Sequence, residues 1–473
     1  MTAKHTKIIA TVSDLRCEKD FIQQLYNEGM NVVRMNTAHL KPEGALHIIN
    51  NVRAVSNQIA LLMDTKGPEI RTTVNAGGVD IEIKAGSSVH IAGKPDSEST
   101  ADTICVSYTK IVEDLNIGDH ILIDDGEIDL KVMSKTGEYL VCEALNDGSL
   151  GSRKSVNVPG VRICLPSLTE KDRNNILFAI EHDLDFIAHS FVRSKQDILD
   201  IQEILDAHNS EIKIIAKIEN QEGVDNIDEI LEVAYGVMVA RGDLGIEIPQ
   251  ERIPGIQRQL IRKSVRAKKT VIVATQMLHS MIKNPRPTRA EITDIANAIY
   301  YRTDAIMLSG ETAYGKYPVE AVRTMATVAT EAEKTKMVEN DIPIPDSEKD
   351  ITLFLAKQAV KANAEIGTTA TITDTYTGTT TRYLASFRAQ NPVISICYKE
   401  RTMRELALSY GVFPHFRQAE DGESTRHYFL SALQELRESG IVKDEDYIAY
   451  LGGTHGVGGG TNFLEIDQVY KLQ

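Results

Sequence analysis

A lysine and a glutamate lie two positions apart at the end of an apolar stretch, residues 213–220. The β-branched residues before Lys217 favour a buried strand, and alternate side chains of a strand point to the same face. Lys217 and Glu219 are therefore predicted to lie side by side at the carboxyl end of this strand. A buried ion pair with a purely structural role would have the same spacing. We favour an active site, because barrels of parallel strands place their active sites at the carboxyl ends.

The same alternation, applied to other apolar stretches, gathers further polar residues at this end of the fold. The residues predicted to converge at one mouth are Arg34, Asp64, Lys217, Glu219, Asp243, Thr275 and Glu311. Glu219 and Asp243 are hard oxygen ligands suited to Mg²⁺, with water and substrate completing its coordination. Arg34, Lys217 and Arg71 supply positive charge for an anion. A cluster of cations beside a divalent metal is typical of phosphoryl transfer.

Eight short apolar stretches recur along the chain, and each is followed by a helix-like segment. They are residues 8–12, 32–36, 59–64, 186–191, 212–219, 237–243, 270–276 and 305–311. Eight parallel strands with intervening helices predict a closed (β/α)8 TIM barrel, an α/β fold. Within these strands, alternation places Asn36 on the face of Arg34, and Thr275 on the face of Val271 and Val273.

Residues 72–166 interrupt the regular spacing with short alternating strands and glycines, which favour an inserted small β-barrel domain. Its position after the third strand suggests a lid that excludes water from the site. A proline-rich linker at residues 341–346 precedes a second α/β pattern. We therefore expect a catalytic barrel formed by residues 1–71 and 167–340, an inserted domain at 72–166 and a C-terminal α/β domain at 341–473.

The overall composition is that of an ordinary globular protein, with 473 residues, 42% hydrophobic and 25% charged. The 52 basic and 67 acidic residues give a net charge of −15, which argues against a nucleic acid or an anionic membrane as partner. The five cysteines are scattered, so neither a disulfide framework nor a zinc site is indicated. Without a signal-like N-terminus or a membrane-length apolar run, a cytoplasmic protein is expected.

Seven segments of the chain, in order, resemble the signature segments of the pyruvate kinase family. They are residues 34–36, 61–71, 216–220, 238–245, 274–278, 284–291 and 307–312. One Lys-Ile-Glu would be a weak signal, whereas seven collinear segments are specific. The resemblance extends over nearly the whole chain. It implies transfer of a phosphoryl group from phosphoenolpyruvate to ADP, giving ATP and pyruvate, with Mg²⁺ or Mn²⁺ and K⁺ as cofactors.

The resemblance also implies roles for individual residues. Lys217 matches the lysine that neutralises the transferring phosphoryl group, and Glu219 and Asp243 match the ligands of the divalent metal. The substrate contacts match Arg34, Lys217, Thr275 and the backbone of Gly242 and Asp243; the nucleotide contacts match Asn36, His39, Arg71 and Lys154. Thr275 is a plausible end of a proton relay to the enolate, although Ser309 or water could serve. A homotetramer is implied as well.

A K⁺ site formed by Asn36, Asp64 and the carbonyl of Thr65 is implied, but here the chain departs from the family. The family usually has a serine hydroxyl as a further ligand, and this chain has Ala38. Glu69 nevertheless matches the acidic residue that accompanies K⁺ dependence. We therefore expect a K⁺ site with weakened or water-completed coordination. The first loop departs too, with residues 13–15 in place of the usual Gly-Pro pair.

The loop around Gly378 combines hydroxyl groups, a glycine and a predicted helix start, which together favour a phosphate site. A well-capped helix start would look similar. Resemblance favours an effector site formed by Thr375, Thr377, Gly378 and Thr380, with a second glycine-rich loop at residues 452–462. The resemblance therefore implies a phosphorylated allosteric effector as partner, whose identity the sequence does not give.

Two rival functions are consistent with parts of the pattern. Another TIM barrel enzyme acting on pyruvate-like substrates, an aldolase with Lys217 as a Schiff base or a metal-dependent lyase, would use the same mouth. A catalytically weakened effector-binding subunit is the second rival, suggested by Ala38 and the altered first loop. ADP-dependent pyruvate formation distinguishes the first rival from a pyruvate kinase, and measurable turnover distinguishes the second.

Overall fold

The computed structural model describes residues 4–38, 40–163, 165–336, 342–344, 350–456 and 458–472. The first three strands and two helices form two β/α units and the strand that follows them. They are β1 (Lys7–Thr11), α1 (Lys19–Asn27), β2 (Val32–Asn36), α2 (Pro42–Val55) and β3 (Ala60–Asp64). Pro42 begins α2 without loss of a hydrogen bond, because the first helical amide has no partner within a helix.

A small β domain follows β3. Its elements are β4 (Ile70–Arg71), β5 (Ile81–Ile83), β6 (Ser88–Ala92), β7 (Thr103–Cys105), α3 (Ile111–Asp114), β8 (His120–Ile123), β9 (Ile128–Lys135), β10 (Leu140–Ala144), β11 (Gly148–Leu150) and β12 (Ser155–Asn157). Seven of these strands form one sheet in the order β4-β12-β8-β9-β10-β6-β7. A bridge between Thr72 and Val106 links its two edges, so the sheet curls around its own apolar core.

The chain then returns to the barrel. The strands are β13 (Phe186–His189), β14 (Lys213–Ile218), β15 (Gly236–Ala240), β16 (Thr270–Ala274) and β17 (Ala305–Leu308). The helices are α4 (Glu170–Glu181), α5 (Lys195–Ala207), α6 (Gln221–Asp225), α7 (Ile227–Val233), α8 (Arg241–Glu247), α9 (Ile253–Arg266), α10 (Arg289–Tyr300), α11 (Gly310–Ala313) and α12 (Pro318–Thr335). The eight strands form a closed parallel barrel in the order β1-β17-β16-β15-β14-β13-β3-β2, as predicted.

Alternate residues of each barrel strand pack on opposite sides of the wall. In β14, Ile215 joins the interior core, whereas Ile214, Ala216 and Ile218 pack against the surrounding helices. Strands covered on both faces are apolar throughout, which is the pattern of a parallel sheet. Polar side chains on the inward face therefore occur where the strands end, and this concentrates them at the mouth.

The C-terminal α/β domain has a five-stranded sheet. Its elements are α13 (Ile351–Glu365), β18 (Ala370–Thr375), α14 (Thr379–Ser386), β19 (Val393–Cys397), α15 (Glu400–Glu405), β20 (Val412–Phe416), α16 (Thr425–Glu438), β21 (Tyr447–Gly452) and β22 (Phe463–Gln468). The strand order is β20-β19-β18-β21-β22, with only β22 antiparallel to its neighbour. The domain boundaries predicted at 71/72, 166/167 and 340/341 stay predictions, and the last lies outside the described residues.

This domain closes the amino end of the barrel, opposite the mouth. Leu408 is fully buried and belongs to the apolar core inside the barrel. Arg404 donates to the buried carboxylate of Asp185 at 2.6 Å, and Arg388 pairs with Asp304 at 2.8 Å. Among the described residues, no helix is long and apolar enough to cross a membrane.

Candidate active site

Four charged side chains alternate in sign at the carboxyl end of the barrel. Lys217 Nζ lies 3.0 Å from Asp64 Oδ1 and 2.9 Å from Glu219 Oε1. It also donates to Ser190 Oγ at 2.7 Å. The other oxygen of Asp64 accepts from Arg34 Nε at 2.7 Å, with Arg34 Nη2 at 2.6 Å. All four charged residues are less than 10% exposed, so each charge depends on its neighbours for stabilisation.

The charges on these groups follow from their partners. Burial disfavours the charged form of Lys217, but Asp64 and Glu219 outweigh it and hold its pKa above the usual value. Burial also opposes ionisation of Asp64, yet Arg34 and Lys217 keep its pKa low. Burial raises the pKa of Glu219 to about 7; Asp243 and Asp64 contribute to this rise, and Lys217 opposes it. The cluster thus holds more negative charge near Glu219 than Lys217 alone neutralises.

A cavity of about 480 Å³ opens onto this cluster. The predicted site residues that line it are Arg34, Asn36, Asp64, Thr65, Arg71, Lys217, Glu219 and Asp243. Site residues from the ends of β2, β3 and β14 therefore line one cavity together with Asp243 of α8. His39, predicted on the nucleotide side, lies outside the described residues.

The donor set suits a divalent metal. Glu219 and Asp243 line the same cavity, and the charge of Asp243 contributes to the raised pKa of Glu219. A cation between two such carboxylates would relieve this repulsion. No cluster of three or more metal-binding side chains occurs among the described residues, so other ligands would come from water or substrate. With water or substrate oxygens as the remaining ligands, the two carboxylates fit Mg²⁺ or Mn²⁺.

The position of Thr275 at the mouth does not follow from strand alternation. Val271 and Val273 face the helices, so an extended Thr275 on their face would also point away from the mouth. Instead β16 ends at Ala274, and Thr275 has a left-handed φ of 70°. Its Oγ1 accepts from the backbone N–H of Gly242 at 2.8 Å. The predicted face was therefore wrong, although Thr275 and Gly242 are neighbours.

Arg241 holds this turn in place. Its Nη2 donates to the carbonyl of Thr275 at 2.6 Å, and its Nη1 donates to Asp294 Oδ2 at 2.6 Å. Asp294 lies on α10, so one side chain ties the end of β16 to a helix of the outer ring. A non-glycine residue at positive φ is costly, and this clamp supplies contacts that offset the cost.

Two acidic residues differ from their predicted positions. Asp243 does not end a strand but lies in the first turn of α8, where the helix N-terminus favours a negative charge. Glu311 was expected on a strand face at the mouth. It lies in α11, and its carboxylate accepts from the backbone N–H groups of Leu278 at 3.1 Å and Ser309 at 2.8 Å. Glu311 therefore supports two loops.

The oxygens predicted to bind K⁺ are close together but already have protein partners. Asn36 Oδ1 accepts from the backbone N–H of Ala38 at 3.1 Å, and the carbonyl of Thr65 accepts from Ser190 Oγ at 2.7 Å. Asp64 is paired with Arg34 and Lys217. A K⁺ ion would share these oxygens with their present donors. Such sharing is consistent with the weakened coordination expected from Ala38.

Two of the residues predicted on the nucleotide side, Arg71 and Lys154, lie toward the small β domain. A cleft of about 1010 Å³ between that domain and the barrel is lined by Arg71, Lys154 and Asp243, among others. Arg71 Nε donates to Glu69 Oε2 at 2.7 Å, and Lys154 Nζ lies 2.6 Å from Asp124 Oδ2. The hydrogen bond to Asp124 raises the pKa of Lys154. Lys154 therefore carries its charge at the edge of the cleft, which Arg71 also lines.

The predicted effector loop forms a tight turn at the start of α14. Gly378 has a φ of 79°, and its N–H donates to Thr375 Oγ1 at 3.0 Å. The hydroxyl of Thr380 lies 2.6 Å from that of Thr461, near the second glycine-rich loop, and Thr377 is exposed. Thr375, Gly378 and Thr380 thus have structural contacts within the domain, and Thr377 is exposed.

Two positions of the site were not predicted. Ser190 bonds to Lys217, and the backbone N–H of Phe191 donates to Glu219 Oε2 at 2.7 Å. Ala188 faces the barrel interior, so alternation along β13 would have placed Ser190 at the mouth. Phe191 could not have been found in this way, because it has a left-handed φ of 56° and contributes a backbone group.

A closed barrel with an ionic cavity at its carboxyl end, beneath a small β domain, defines a class of barrel enzymes that act on anionic substrates. Comparison with sequence families narrows this class. A profile described as "Pyruvate kinase, barrel domain" matches residues 3–322, and one described as "Pyruvate kinase, alpha/beta domain" matches residues 354–466.

Individual proteins give the same result. A pyruvate kinase of Borreliella burgdorferi is 45% identical over 473 residues, covering 99% of this chain and 98% of that protein. One of Geobacillus stearothermophilus is 43% identical, covering 99% of this chain and 81% of that protein. The crystal structure of a pyruvate kinase from Cryptosporidium parvum superposes with a TM-score of 0.93 at 34% identity, covering 99% and 97% of the two chains. The chain belongs to the pyruvate kinase family and is a phosphotransferase.

Proposed function

We propose that this chain transfers the phosphoryl group of phosphoenolpyruvate to ADP, giving ATP and pyruvate, in the last step of glycolysis. The observation that carries the proposal is the position of Lys217 Nζ, within 3.0 Å of both Asp64 and Glu219 in the cavity that Asp243 also lines. Little covalent work is required of the protein in such a transfer, so fixed charges that stabilise the moving phosphoryl group are the main requirement.

The substrate side is proposed to consist of Arg34, Lys217, Thr275 and the backbone of Gly242 and Asp243. Lys217 keeps its proton and faces the transferring phosphoryl group, while Arg34, fixed by Asp64, binds the substrate anion. When bound by Glu219 and Asp243, Mg²⁺ or Mn²⁺ would neutralise charge on the phosphoryl oxygens. These fixed charges need no reorganisation as the reaction proceeds.

The nucleotide is proposed to contact Asn36, His39, Arg71 and Lys154. Arg71 and Lys154 support this assignment because both line the cleft next to the ionic cavity. K⁺ is proposed to bind at Asn36, Asp64 and Thr65.

The enolate formed by phosphoryl transfer must gain a proton at carbon. Thr275 is the candidate donor because its Oγ1 accepts from the N–H of Gly242, so its own O–H can still donate, with Ser309 and water as alternatives.

The remaining proposals concern regulation and assembly. A phosphorylated effector is proposed at Thr375, Thr377, Gly378 and Thr380, supported by the turn at the start of α14. A homotetramer, a cytoplasmic location, and the domain division at residues 1–71 with 167–340, 72–166 and 341–473 are also proposed.

An aldolase reaction through a Schiff base at Lys217 is not favoured. Such a lysine must lose its proton to attack a carbonyl, and enzymes achieve this by lowering the pKa of the amine. Here carboxylates flank the ammonium at 3.0 and 2.9 Å and raise its pKa. A catalytically weakened subunit is not favoured either, because Lys217 keeps both carboxylate partners in the ionic cluster.

Replacement of the central cation tests the proposal. The Lys217→Met variant removes the charge that faces the phosphoryl group, so kcat should fall by at least about 10³-fold. Pyruvate release should be measured in a coupled assay with phosphoenolpyruvate and ADP, with and without Mg²⁺. Binding of phosphoenolpyruvate, followed by calorimetry, should persist through Arg34.

The matched control lies on the same strand. Lys213 begins β14 at the opposite end and pairs with Glu405 at 3.6 Å, so Lys213→Met should leave kcat nearly unchanged. Near-normal turnover of Lys217→Met, or absence of ADP-dependent pyruvate release from the unmodified protein, would refute the proposed function.

A further inference from the structure

Thr11, the last residue of β1, contacts one of the two cations of the ionic cluster. It is 4% exposed, and it is paired with Arg34 across the parallel strands β1 and β2. Arg34 Nη1 donates to Thr11 Oγ1 at 3.1 Å, and Thr11 Oγ1 donates to the carbonyl of Leu308 at 2.9 Å. This hydroxyl therefore connects Arg34 to the carboxyl end of β17, the last strand of the barrel.

The direction of both hydrogen bonds follows from the chemistry of the groups. A guanidinium can only donate and a carbonyl can only accept, so the single hydroxyl hydrogen of Thr11 goes to Leu308. The oxygen of Thr11 then accepts from Arg34. Because a β-branched side chain has restricted χ1 rotation, the hydroxyl oxygen is held in one place.

The carboxylate partner of Arg34 does not fix the orientation of the guanidinium by itself. Nε, at 2.7 Å, and Nη2, at 2.6 Å, both contact the same oxygen of Asp64, Oδ2. The second oxygen, Oδ1, has Lys217 Nζ at 3.0 Å and Ser190 Oγ at 3.3 Å. The arrangement therefore lacks the two parallel bonds by which a carboxylate orients an arginine rigidly. With Asp64 alone, the guanidinium could pivot about Oδ2.

Thr11 supplies the second point of attachment. It binds Nη1, the nitrogen of Arg34 that does not contact Asp64. A guanidinium has five N–H groups, and these contacts use at most three of them, so at least two remain for an anion. Held at both edges, Arg34 presents the remaining N–H groups in a fixed direction within the cavity that it lines.

We propose that Thr11 is a positioning residue for substrate binding, whose hydroxyl holds the guanidinium of Arg34 in the orientation that receives the substrate anion. Thr11 does not line the cavity, so it acts through Arg34 and not on the reacting atoms. The inference rests on the proposed role of Arg34 in binding phosphoenolpyruvate. A group already fixed in its bound orientation loses less conformational freedom on binding, which increases affinity.

Thr303 provides a matched control for the hydroxyl group. It is fully buried and precedes β17 at the amino end of the barrel, away from Arg34. Its hydroxyl lies 2.9 Å from the carbonyl of Val271 and 3.0 Å from that of Ala305. Thr303→Val therefore removes a buried bond between a hydroxyl and a carbonyl in the same barrel, at a distance from the ionic cluster.

Thr11→Val tests the proposal because valine keeps the shape of threonine and lacks the hydroxyl. Calorimetric titration with phosphoenolpyruvate, without ADP, should give a Kd at least 10-fold higher than that of the unmodified protein, since a hydrogen bond from a charged group is lost. In the coupled assay, KM for phosphoenolpyruvate should rise to a similar extent, while kcat and KM for ADP change less than threefold. Thr303→Val should leave all of these values within about twofold.

Thr11→Ser restores the hydroxyl without the β-branch. Its Kd for phosphoenolpyruvate should lie within about threefold of the original value, between those of threonine and valine, because serine has more rotamers to lose. If Thr11→Val does not fold, Thr11→Ala replaces it in the comparison with Thr11→Ser. Equal Kd values for the serine variant and the variant without a hydroxyl would overturn the proposal. Equal increases of KM for phosphoenolpyruvate and ADP would do the same, because they indicate general damage to the barrel.

The outcomes also separate this inference from the proposed function. If the unmodified protein binds phosphoenolpyruvate and forms pyruvate with ADP, but Thr11→Val binds phosphoenolpyruvate as tightly, only the role of Thr11 is wrong. If the unmodified protein binds no phosphoenolpyruvate, the roles of Arg34 and Thr11 are both wrong.

Discussion

Lys217 is a permanent cation in this site. Its ammonium has carboxylates at 3.0 and 2.9 Å and a hydroxyl at 2.7 Å, and Lys217 is only 8% exposed. Electrostatic interactions are stronger where water is excluded, and a charge already held in place needs no reorganisation during the reaction. At the scale of a residue, the fixed position of this one charge explains the preference for phosphoryl transfer over amine chemistry.

Ala38 is the residue at which the K⁺ site is predicted to be weakest. Ala38→Ser adds a hydroxyl oxygen next to Asn36, in the cavity that both residues line. The added hard ligand should lower the KCl concentration needed for half-maximal activity, by several-fold. Pyruvate release titrated with KCl in sodium-free buffer measures this concentration.

A variant that adds bulk without oxygen provides the comparison. Ala38→Val should not lower the half-maximal KCl concentration. An identical titration for the original protein and Ala38→Ser would show that water already completes the coordination. Full activity without K⁺ would reject the K⁺ site itself.

At the scale of elements, the turn after β16 determines where Thr275 lies at the mouth of the barrel. Thr275 and Gln276 both have left-handed φ angles, 70° and 55°, which reverse the direction of the side chains after Ala274. The clamp from Arg241 fixes this turn to α10 through Asp294. The position of Thr275 beside Gly242 therefore depends on an ion pair outside the ionic cluster.

Loss of the carboxylate that holds Arg241 should loosen this turn. In Asp294→Asn, the nearly buried guanidinium, 10% exposed, loses its charged partner. We expect a loss of about 2 kcal/mol in the free energy of unfolding, between the values for surface and buried pairs. A lower kcat should accompany it, because Thr275 is less well fixed. Urea denaturation and the coupled assay measure the two effects.

The same substitution in an exposed pair is the control. Asp228 pairs with Lys263 at 2.6 Å but is 76% exposed, so Asp228→Asn should cost less than about 1 kcal/mol and leave kcat unchanged. Equal losses of stability for the two variants would show that the clamp has no special role.

Strand alternation placed correctly four charged residues that lie on a strand or directly after one. Arg34, Asp64, Lys217 and Glu219 are of this kind, and all four lie in the ionic cluster. The rule failed beyond the strand ends, where α8, α11 and the turn at Thr275 set the direction of side chains. Those directions depend on backbone angles and on tertiary contacts such as the Arg241 clamp. Neither produces a periodic pattern of residues in the sequence.

The fold itself was more predictable than the site. Eight apolar stretches, each followed by a helix pattern, gave the barrel, because strands covered on both faces must be apolar throughout. The contact between barrel and C-terminal domain was not predictable. Leu408 and Arg404 look like ordinary helix residues in the sequence, and their partners lie far away along the chain.

At the scale of the whole molecule, the junction between the two domains holds buried cations. Lys7, at the start of β1, is 3% exposed and lies 4.7 Å from the ring centre of Phe413 in the C-terminal domain. Burial and, to a smaller extent, the charge of nearby Lys4 lower its pKa to about 7, against the opposing charges of Glu333 and Asp304. The folded protein therefore gives up this proton more readily than the unfolded chain.

Stability should consequently depend on pH through Lys7. Between about pH 7 and pH 10 the unfolded chain holds the proton and the folded protein does not, so the free energy of unfolding rises with pH. This gain in stability is lost progressively as pH falls from about 10 to about 7, below which both states hold the proton. In Lys7→Met this slope should be reduced, as measured by urea denaturation from pH 6.5 to 9.

An exposed lysine of α12, Lys334, provides the control. Lys334→Met removes a residue that is 58% exposed and pairs with Glu331, so its pH profile should match that of the original protein. A Lys7→Met profile parallel to the original would mean that Lys7 keeps its proton in the folded state.

Leu408 fills the lower end of the barrel from outside the barrel's own sequence. During synthesis, the last barrel helix, which ends at Thr335, leaves the ribosome well before Leu408. At about 5 to 20 residues per second, the nascent barrel waits several seconds with its apolar interior open to water. A shortened gene that stops at residue 335 would make that state permanent, so its product should aggregate or recruit chaperones.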